Sequence, residues 1–465
     1  MLVRRALGPS LLAALLVVGV AAPAVAHHKP DHAGGRPLDV RPPGQQPSDP
    51  DEPDEPAAVT PRVVVAAIDS GVNAYHEFFH AGGDGPYAEQ APTAVTADVL
   101  AEFGIGPDQI LELTRTGDQA SDVAADADLW AGVEPGRPYW FAGTNVIGIS
   151  FDGSTPPLQP TSGKSPHGTG VLGSVLEANP EAVVVMVEGI DEASEQWAFT
   201  HPAVDVVTTS YGPIGSPPLP YHLSFSYTGV VTHGKLHTGA VDNTPALSPI
   251  DSTGGPWWSL GVSGYEEGDS EGRQLTSGSL PDVVGDFTQT LPYCTDCQDG
   301  RRTVSGTSFA TPTTAGVASL GILEARRAAG HDGGIVASED GPVLVDGPDP
   351  LSVWDLRRAL EEAAAYPTTA EWDPVDAIFD LVTTPVIDAA PWATMGWGLV
   401  TADPDRGVVA ELLAHLGVEG EPTRTKSTDA CDAMTAQFEL RYAYWNSYAF
   451  LGESWLTDED PYVRC

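Results

Sequence analysis

Short, unbroken runs of apolar residues are the clearest pattern in the chain beyond its N-terminal region. The first covers residues 63–68, and residues 183–187 and 204–207 form two more. Runs of this length that are rich in β-branched residues predict strands buried on both faces of a parallel sheet. Residues 193–199 are polar on one side and are soon followed by a proline, which predicts a short helix between the last two strands. Buried strands that alternate with helices indicate an α/β domain.

Two later segments carry the signals of helix ends. Residues 352–366 begin with a serine, a residue type that caps helices, and are followed by a proline. Residues 404–416 follow an aspartate, begin with a proline and end before a glycine. The pattern therefore predicts one domain over residues 62–418 and leaves residues 419–465 as a C-terminal extension.

The first 26 residues have the three parts of a secretory signal peptide. Arg4 and Arg5 form a positive segment, residues 11–20 are apolar, and residues 24–26 (AVA) fit a small-residue cleavage site. The apolar run is short for a membrane span, so we expect cleavage, with an uncleaved anchor as the alternative. No later segment resembles a membrane span, so the mature protein is expected to be secreted without a membrane anchor.

The segment that follows the signal peptide is of a different kind. Residues 27–61 are rich in Pro, Asp, Glu, Gly and His and lack apolar periodicity. Such a composition cannot bury enough apolar surface to fold, so it predicts a disordered linker.

Composition and charge narrow the possible partners. Hydrophobic residues make up 42% of the 465 residues, which is enough for a sizeable core. The formal net charge is -42. Because phosphate backbones are anionic, this charge argues against nucleic acid as a partner.

The chain has four cysteines, Cys294, Cys297, Cys431 and Cys465. Export makes disulfides plausible, and four cysteines allow three pairings. We expect the local pairs, Cys294 with Cys297 and Cys431 with Cys465. A four-cysteine zinc site is the alternative, and the terminal position of Cys465 and an oxidising compartment both disfavour it.

Three short motifs contain residue types that catalyse acyl transfer. The sequence DSG at residues 69–71 follows the first predicted strand, and HGTG at residues 167–170 opens a predicted helix that reaches about residue 178. The sequence GTSFATP at residues 306–312 leads into a helix through about residue 329 and places Ser308 at its N-terminus. Helix N-termini favour developing negative charge, which a serine nucleophile requires. Taken singly, each motif also fits an ordinary turn, helix start or helix cap.

Taken together, the motifs have the Asp, His, Ser chain order of the subtilisin type of triad. The sequence resembles the subtilisin-like serine proteases, whose signatures D-[ST]-G, H-G-T and G-T-S-x-A-[ST]-P all occur here in that order. The resemblance covers most of residues 62–418, although it is patchy between the motifs. It implies a three-layer domain with a mostly parallel central sheet and helices on both faces. It also implies that Asp69, His167 and Ser308 form a catalytic triad.

The resemblance implies two further parts of the site. Ser210, Tyr211 and Gly212 end a predicted strand like the S-x-G strand of the family, whose backbone pairs with extended substrate. Asn243 matches the asparagine that donates to the oxyanion. The glycine that usually precedes this asparagine is Asp242 here.

The implied function is that of a secreted serine endopeptidase that acts on proteins or peptides through an acyl-enzyme. No cofactor is required. Calcium stabilises many relatives, but no ligand loop can be identified in the sequence, so we assign no metal residues. The alternatives are a catalytically silent subtilase-like binding domain and a narrow-specificity maturation protease or peptide cyclase. The sequence leaves the oligomeric state open.

Two departures from the family bear on these alternatives. The stretch between Asp69 and His167 is longer than in compact members and contains an Asp- and Gly-rich segment around residues 117–163. Such an insertion is expected at the surface, where it can shape a binding cleft. Residues 27–61 are too short and polar to form the folded pro-domain that many relatives carry.

Overall fold

The computed structural model describes residues 60–153, 156–212, 218–241, 243, 252–266, 275–277, 281–339, 341–365 and 395–446. The predicted signal peptide, all but the last two residues of the predicted linker, and Cys465 lie outside these residues.

Ten strands of the described residues form one central sheet. They are β1 (Val64–Asp69), β2 (Ile110–Leu111), β3 (Tyr139–Phe141), β4 (Val146–Ser150), β5 (Val183–Glu188), β6 (Val206–Thr209), β7 (Leu236–Ala240), β8 (Leu260–Glu266), β9 (Leu275–Ser277) and β10 (Val283–Asp286). The order across the sheet is β10-β8-β7-β6-β1-β5-β4-β3-β2, and β9 pairs with β8. Only the β3–β4 and β8–β9 pairs are antiparallel, which confirms the predicted, mostly parallel sheet.

Ten α-helices lie within the described residues. They are α1 (Ala97–Glu102), α2 (Gln119–Ala125), α3 (Ala127–Ala131), α4 (His167–Ala178), α5 (Glu192–Thr200), α6 (Pro220–Tyr227), α7 (Thr307–Ala329), α8 (Val353–Ala363), α9 (Val408–His415) and α10 (Thr428–Asn446). Shorter elements are the 3-10 turns Glu77–Phe79, Pro107–Gln109 and Pro404–Arg406, the π-helical turn Thr228–Thr232, and two hairpins made by β11 (Thr288–Leu291) with β12 (Arg302–Ser305) and β13 (Val336–Ser338) with β14 (Gly341–Val343). None of the described helices is long and apolar enough to cross a bilayer.

The central strand β1 explains why helices cover both faces of the sheet. Its side chains alternate between the faces, and all of them are buried. Val65 and Ala67 belong to a core that includes α4 and α7, whereas Ala66 and Ile68 belong to a second core that includes α5. The predicted arrangement of helices on both faces is therefore confirmed.

Most predicted elements are present, with shifts at their ends. The helix predicted at residues 193–199 is α5, whose N-cap Asp191 accepts from the Ser194 N–H. The helix predicted at residues 352–366 ends early, because the backbone leaves the helical conformation at Ala364. The helix predicted at residues 404–416 is divided into a 3-10 turn and α9, because Gly407 between them has φ +63°.

The long stretch between Asp69 and His167 is more than a surface loop. It contributes β4, which pairs with β5 inside the sheet and is fully buried, and it adds β3 and β2 beyond β4. The Asp- and Gly-rich segment around residues 117–163 thus contains two strands of the sheet.

Helix α10 lies in the predicted C-terminal extension and packs on the main core. Met434, Phe438 and Trp445 are buried in the same apolar cluster as α4 and α7. The extension therefore supplies part of the core that supports the sheet.

Candidate active site

The residues predicted from the motifs lie at the carboxyl ends of three strands and at the N-termini of two helices. Asp69 is the last residue of β1, Ser210 follows β6, and Asn243 lies just beyond β7. His167 is the first residue of α4 and Ser308 is the second residue of α7. In α/β sheets this end of the strands is where ligands bind.

Asp69 and His167 are joined directly. The Nδ1 atom of His167 lies 2.9 Å from both carboxylate oxygens of Asp69. The Asp69 side chain is 4% exposed and that of His167 is 20% exposed. Because a carboxylate only accepts, Nδ1 carries the proton and Nε2 of a neutral ring is left as the acceptor. This is the tautomer that a general base for a serine hydroxyl needs.

Burial and charge act in opposite directions on His167. Burial lowers the pKa of the imidazole, whereas the charge of Asp69 and its hydrogen bond raise it. The net effect raises the pKa of His167 above its usual value. The protonated form of the His167 imidazole is therefore stabilised.

The glycine and threonine that follow His167 fit it against the loop after Asp69. A Cβ on Gly168 would lie 2.3 Å from the carbonyl oxygen of Gly71, so only glycine fits there. The Thr169 hydroxyl accepts from the Asn73 N–H at 2.9 Å. The H-G-T sequence thus holds the β1 loop and the start of α4 together.

Ser308 and Ser210, which follows strand β6, are joined by two hydrogen bonds in which each serine donates once. The Ser210 hydroxyl donates to the Ser308 carbonyl at 2.9 Å, and the Ser308 hydroxyl donates to the Ser210 carbonyl at 3.4 Å. The ring of His167 lies 5.5 Å from the ring of Phe309, the residue that follows Ser308. No hydrogen bond joins the His167 ring to the Ser308 hydroxyl, which donates to Ser210 instead. Catalytic hydrogen bonds often tighten only when substrate binds.

Asn243 is oriented by the start of α7. Its Oδ1 atom accepts from the Thr307 N–H at 2.8 Å and from the Thr307 hydroxyl at 2.9 Å. Two donors on Oδ1 fix the orientation of the amide, so the Nδ2 donor faces away from Thr307. The neighbouring Asp242 lies outside the described residues.

The hydroxyl of Tyr211 is bound by a residue of α5. This hydroxyl donates to Glu195, which also bonds Nδ1 of His222 at 2.8 Å. Burial, with the nearby charge of Glu195, raises the pKa of Tyr211 well above its usual value. The Tyr211 hydroxyl is therefore occupied within the protein. Sequence reasoning missed Glu195 and His222, since neither belongs to a recognisable motif.

Cys294 and Cys297 form a disulfide, as predicted. It closes the loop between β11 and β12, shortly before Ser308, and the Asn73 side chain donates to the Cys297 carbonyl at 2.7 Å. Both sulfurs are oxidised, so neither is available as a thiolate to the alternative zinc site. The predicted pairing of Cys431 with Cys465 stays a prediction, because Cys465 lies outside the described residues.

No family model and no curated protein matches the sequence. Solved structures similar to this chain include the prenylagaramide maturation protease PagA, with a TM-score of 0.40 and 14% identity over 78% of this chain and 96% of that one. They also include fervidolysin from Fervidobacterium pennivorans, a keratinolytic enzyme related to subtilisin, with a TM-score of 0.40 and 15% identity over 79% of this chain and 44% of that one. The roles of the site residues are therefore proposed from the residues themselves.

Proposed function

We propose that the chain is a serine endopeptidase of the subtilisin type, with Asp69, His167 and Ser308 as its triad. The observation that carries the proposal is the contact of the Asp69 carboxylate with Nδ1 of His167 at 2.9 Å. It leaves Nε2 of a neutral ring as the atom that can accept a proton, and the His167 ring lies 5.5 Å from the ring of Phe309, the residue that follows Ser308. A buried aspartate, an oriented imidazole and a serine in the first turn of a helix are the parts that acyl transfer requires.

In the proposed mechanism His167 removes the proton from the Ser308 hydroxyl, and the Ser308 oxygen attacks the scissile carbonyl carbon. Asp69 holds the imidazole in position and stabilises its cationic form. His167 then gives the proton to the leaving amine, and water hydrolyses the acyl-enzyme by the reverse sequence of proton transfers.

Two donors are proposed for the oxyanion of the tetrahedral intermediate. One is the Ser308 N–H, which lies in the first turn of α7 and has no earlier helical carbonyl to bond. The other is Nδ2 of Asn243, which Thr307 turns outward by occupying Oδ1. Donors fixed before the reaction stabilise the charge at little reorganisation cost.

Proteins or peptides are the proposed substrates. The main chain at residues 210–212 continues from the buried strand β6, and an extended peptide can add to it through backbone hydrogen bonds. The signal-like sequence of residues 1–26 supports secretion, which an oxidised Cys294–Cys297 pair suits.

The direct test is digestion of an unfolded, unrelated protein by the purified mature chain, with Ser308→Ala as the matched control. The proposal predicts new internal N-termini that appear with the wild type and not with the variant. Equal cleavage by both proteins would contradict it. A wild type that reacts with acylating probes but digests no unrelated protein would instead indicate the narrow-specificity alternative.

A further inference from the structure

A loop at residues 252–256 touches the strand end that carries Ser210. The hydroxyl of Thr253 lies 3.3 Å from the Thr209 carbonyl oxygen and 3.2 Å from that of Tyr211. One buried hydroxyl is thus shared between the two carbonyls that flank Ser210. Because Ser210 lies between these two residues and is hydrogen-bonded to Ser308, Thr253 is connected to the proposed nucleophile through the main chain of residues 209–211.

The same loop also touches the strand that leads to Asn243. The Gly254 N–H donates to the Ala240 carbonyl, the last residue of β7, at 3.2 Å. A Cβ on Gly239 would lie 2.5 Å from the Gly254 nitrogen, and a Cβ on Gly254 would lie 2.3 Å from the Gly239 carbonyl oxygen. The loop therefore packs against the adjoining ends of β6 and β7, which lead to the proposed substrate strand and the proposed oxyanion donor.

Helix α10 holds this loop from the other side. The guanidinium of Arg441 donates to the carbonyls of three successive loop residues, 254, 255 and 256, at 2.7 to 2.9 Å. The indole N–H of Trp445 donates to the Gly255 carbonyl at 3.0 Å. Arg441 and Trp445 are buried. The rigid fork of arginine donors suits such a set of convergent carbonyls, which a lysine cannot match.

Arg441 also belongs to a buried cluster of charges. Its Nη1 atom pairs with Asp282 at 2.7 Å, and Arg357 pairs with Asp282 and with Glu361 at 2.9 Å each, so two arginines face two carboxylates. The Nε and Nη2 atoms of Arg441 donate to the loop, and Nη2 also lies 3.4 Å from the Ser259 carbonyl oxygen. We therefore attribute to Arg441 a role in fixing the loop in addition to its place in the charge cluster.

We propose that Thr253 and Arg441 are positioning residues of the active site, with α10 acting through the loop at residues 252–256. This inference rests on the proposed peptidase function. Thr253 fixes Ser210 and so sets where Ser308 lies relative to the substrate strand, while Arg441 keeps Thr253 in place. A displacement of about 1 Å in reacting groups can lower a rate on the order of 100-fold, so small shifts of this loop are expected to matter.

The first test compares Thr253→Val with Thr253→Ser, using kcat and KM for a peptide substrate and a burst titration of active sites. Valine removes the shared hydroxyl at nearly constant volume, and serine retains it. We expect Thr253→Val to lower kcat per titrated site about 10- to 100-fold. Thr253→Ser is expected to stay within about threefold of the wild type. A purely structural role would lower the number of titrated sites and leave kcat per site unchanged.

The second test compares Arg441→Lys with Arg327→Lys. Arg327 is a half-exposed arginine whose ion pairs are with Glu181 and Glu324 on the surface. Neither partner belongs to the loop at residues 252–256. We expect Arg441→Lys to lower kcat per titrated site and Arg327→Lys to leave it unchanged. If Arg441→Lys does not fold, the Thr253 pair decides the question.

The outcomes separate this inference from the proposed function. An active wild type together with a Thr253→Val variant of equal kcat per titrated site would overturn the inference and leave the peptidase function standing. A folded wild type that neither cleaves peptides nor reacts with acylating probes would overturn the proposed function and the inference with it.

Discussion

Nδ1 of His167 lies within 2.9 Å of both carboxylate oxygens of Asp69, although the two residues are 98 positions apart in the chain. Asp69 ends the central strand β1 and His167 begins α4, so the sheet and the helix packed on it fix the pair. The Asp69 carboxylate is further held by the N–H of Ser70 at 2.7 Å. Both partners are thus fixed before any substrate arrives.

This pair determines the expected pH dependence of the activity. His167 is a base only when neutral, and its pKa is raised above the usual value near 6.5. The acid limb of kcat/KM is therefore expected to have its midpoint above pH 6.5, with activity rising as the pH increases through it. Measurement of kcat/KM between pH 5 and 9 provides the check, and a midpoint below 6.5 would be inconsistent with the pair.

Asp69→Asn is expected to change both kcat and the pH at which the acid limb of the activity profile lies. Without the charge of Asp69, only burial acts strongly on the pKa of His167, and it lowers that pKa. The acid limb should move to lower pH, and kcat should fall on the order of 10⁴-fold. A variant whose kcat stays close to that of the wild type would exclude Asp69 from the triad.

Asn243→Ala is expected to lower kcat about 10²- to 10³-fold with little change in KM, because its amide acts on charge that develops only in the transition state. Thr307→Val removes one of the two donors that orient Asn243 and should cost less. Steady-state kinetics on one peptide substrate test both variants. A rise in KM at constant kcat would instead assign Asn243 to substrate binding.

Tyr211→Phe is expected to leave cleavage preference unchanged, because the Tyr211 hydroxyl bonds Glu195 and not the cleft. The variant should lose about 1 kcal/mol in free energy of unfolding, since the buried Glu195 carboxylate loses one of its two partners and keeps His222. Denaturant unfolding and the cleavage pattern of a peptide mixture measure the two effects, with Tyr221→Phe as the control. An altered cleavage preference would place the Tyr211 side chain in the binding site.

The stability of the domain is expected to be sensitive to the loss of one partner of the buried Asp205–Arg326 pair. Both residues are fully buried and joined by two hydrogen bonds of 2.8 and 2.9 Å, and Asp205 also accepts from the Val64 N–H at the start of β1. Arg326→Met would remove the cation that is hydrogen-bonded to this buried carboxylate and should cost about 3–5 kcal/mol.

The measurement is denaturant unfolding in a Ser308→Ala background, which prevents self-digestion. Arg327→Met removes a half-exposed surface arginine from the same helix and should cost less than about 1 kcal/mol. Equal losses from the two substitutions would contradict the expectation.

The sheet and the motif residues could be predicted because their signals are local. The run that becomes β1 is apolar and β-branched throughout, and Asp69 follows it directly. The Glu195–His222 pair could not be predicted, since its members are 27 residues apart and no periodicity relates them. Arg441 donates to a loop that lies 185 to 187 residues earlier in the chain. From the sequence alone, an arginine on such a helix is predicted to be exposed to solvent, because arginine is rarely buried. Contacts of this kind depend on the completed fold.

The most direct measurement of the central claim is labelling of the purified mature chain with a fluorophosphonate, followed by identification of the modified peptide by mass spectrometry. The account predicts one label for each chain, located on Ser308, with none in Ser308→Ala and much slower labelling in His167→Ala. A correctly folded wild type that remains unlabelled, or a label that persists in Ser308→Ala, would contradict the account.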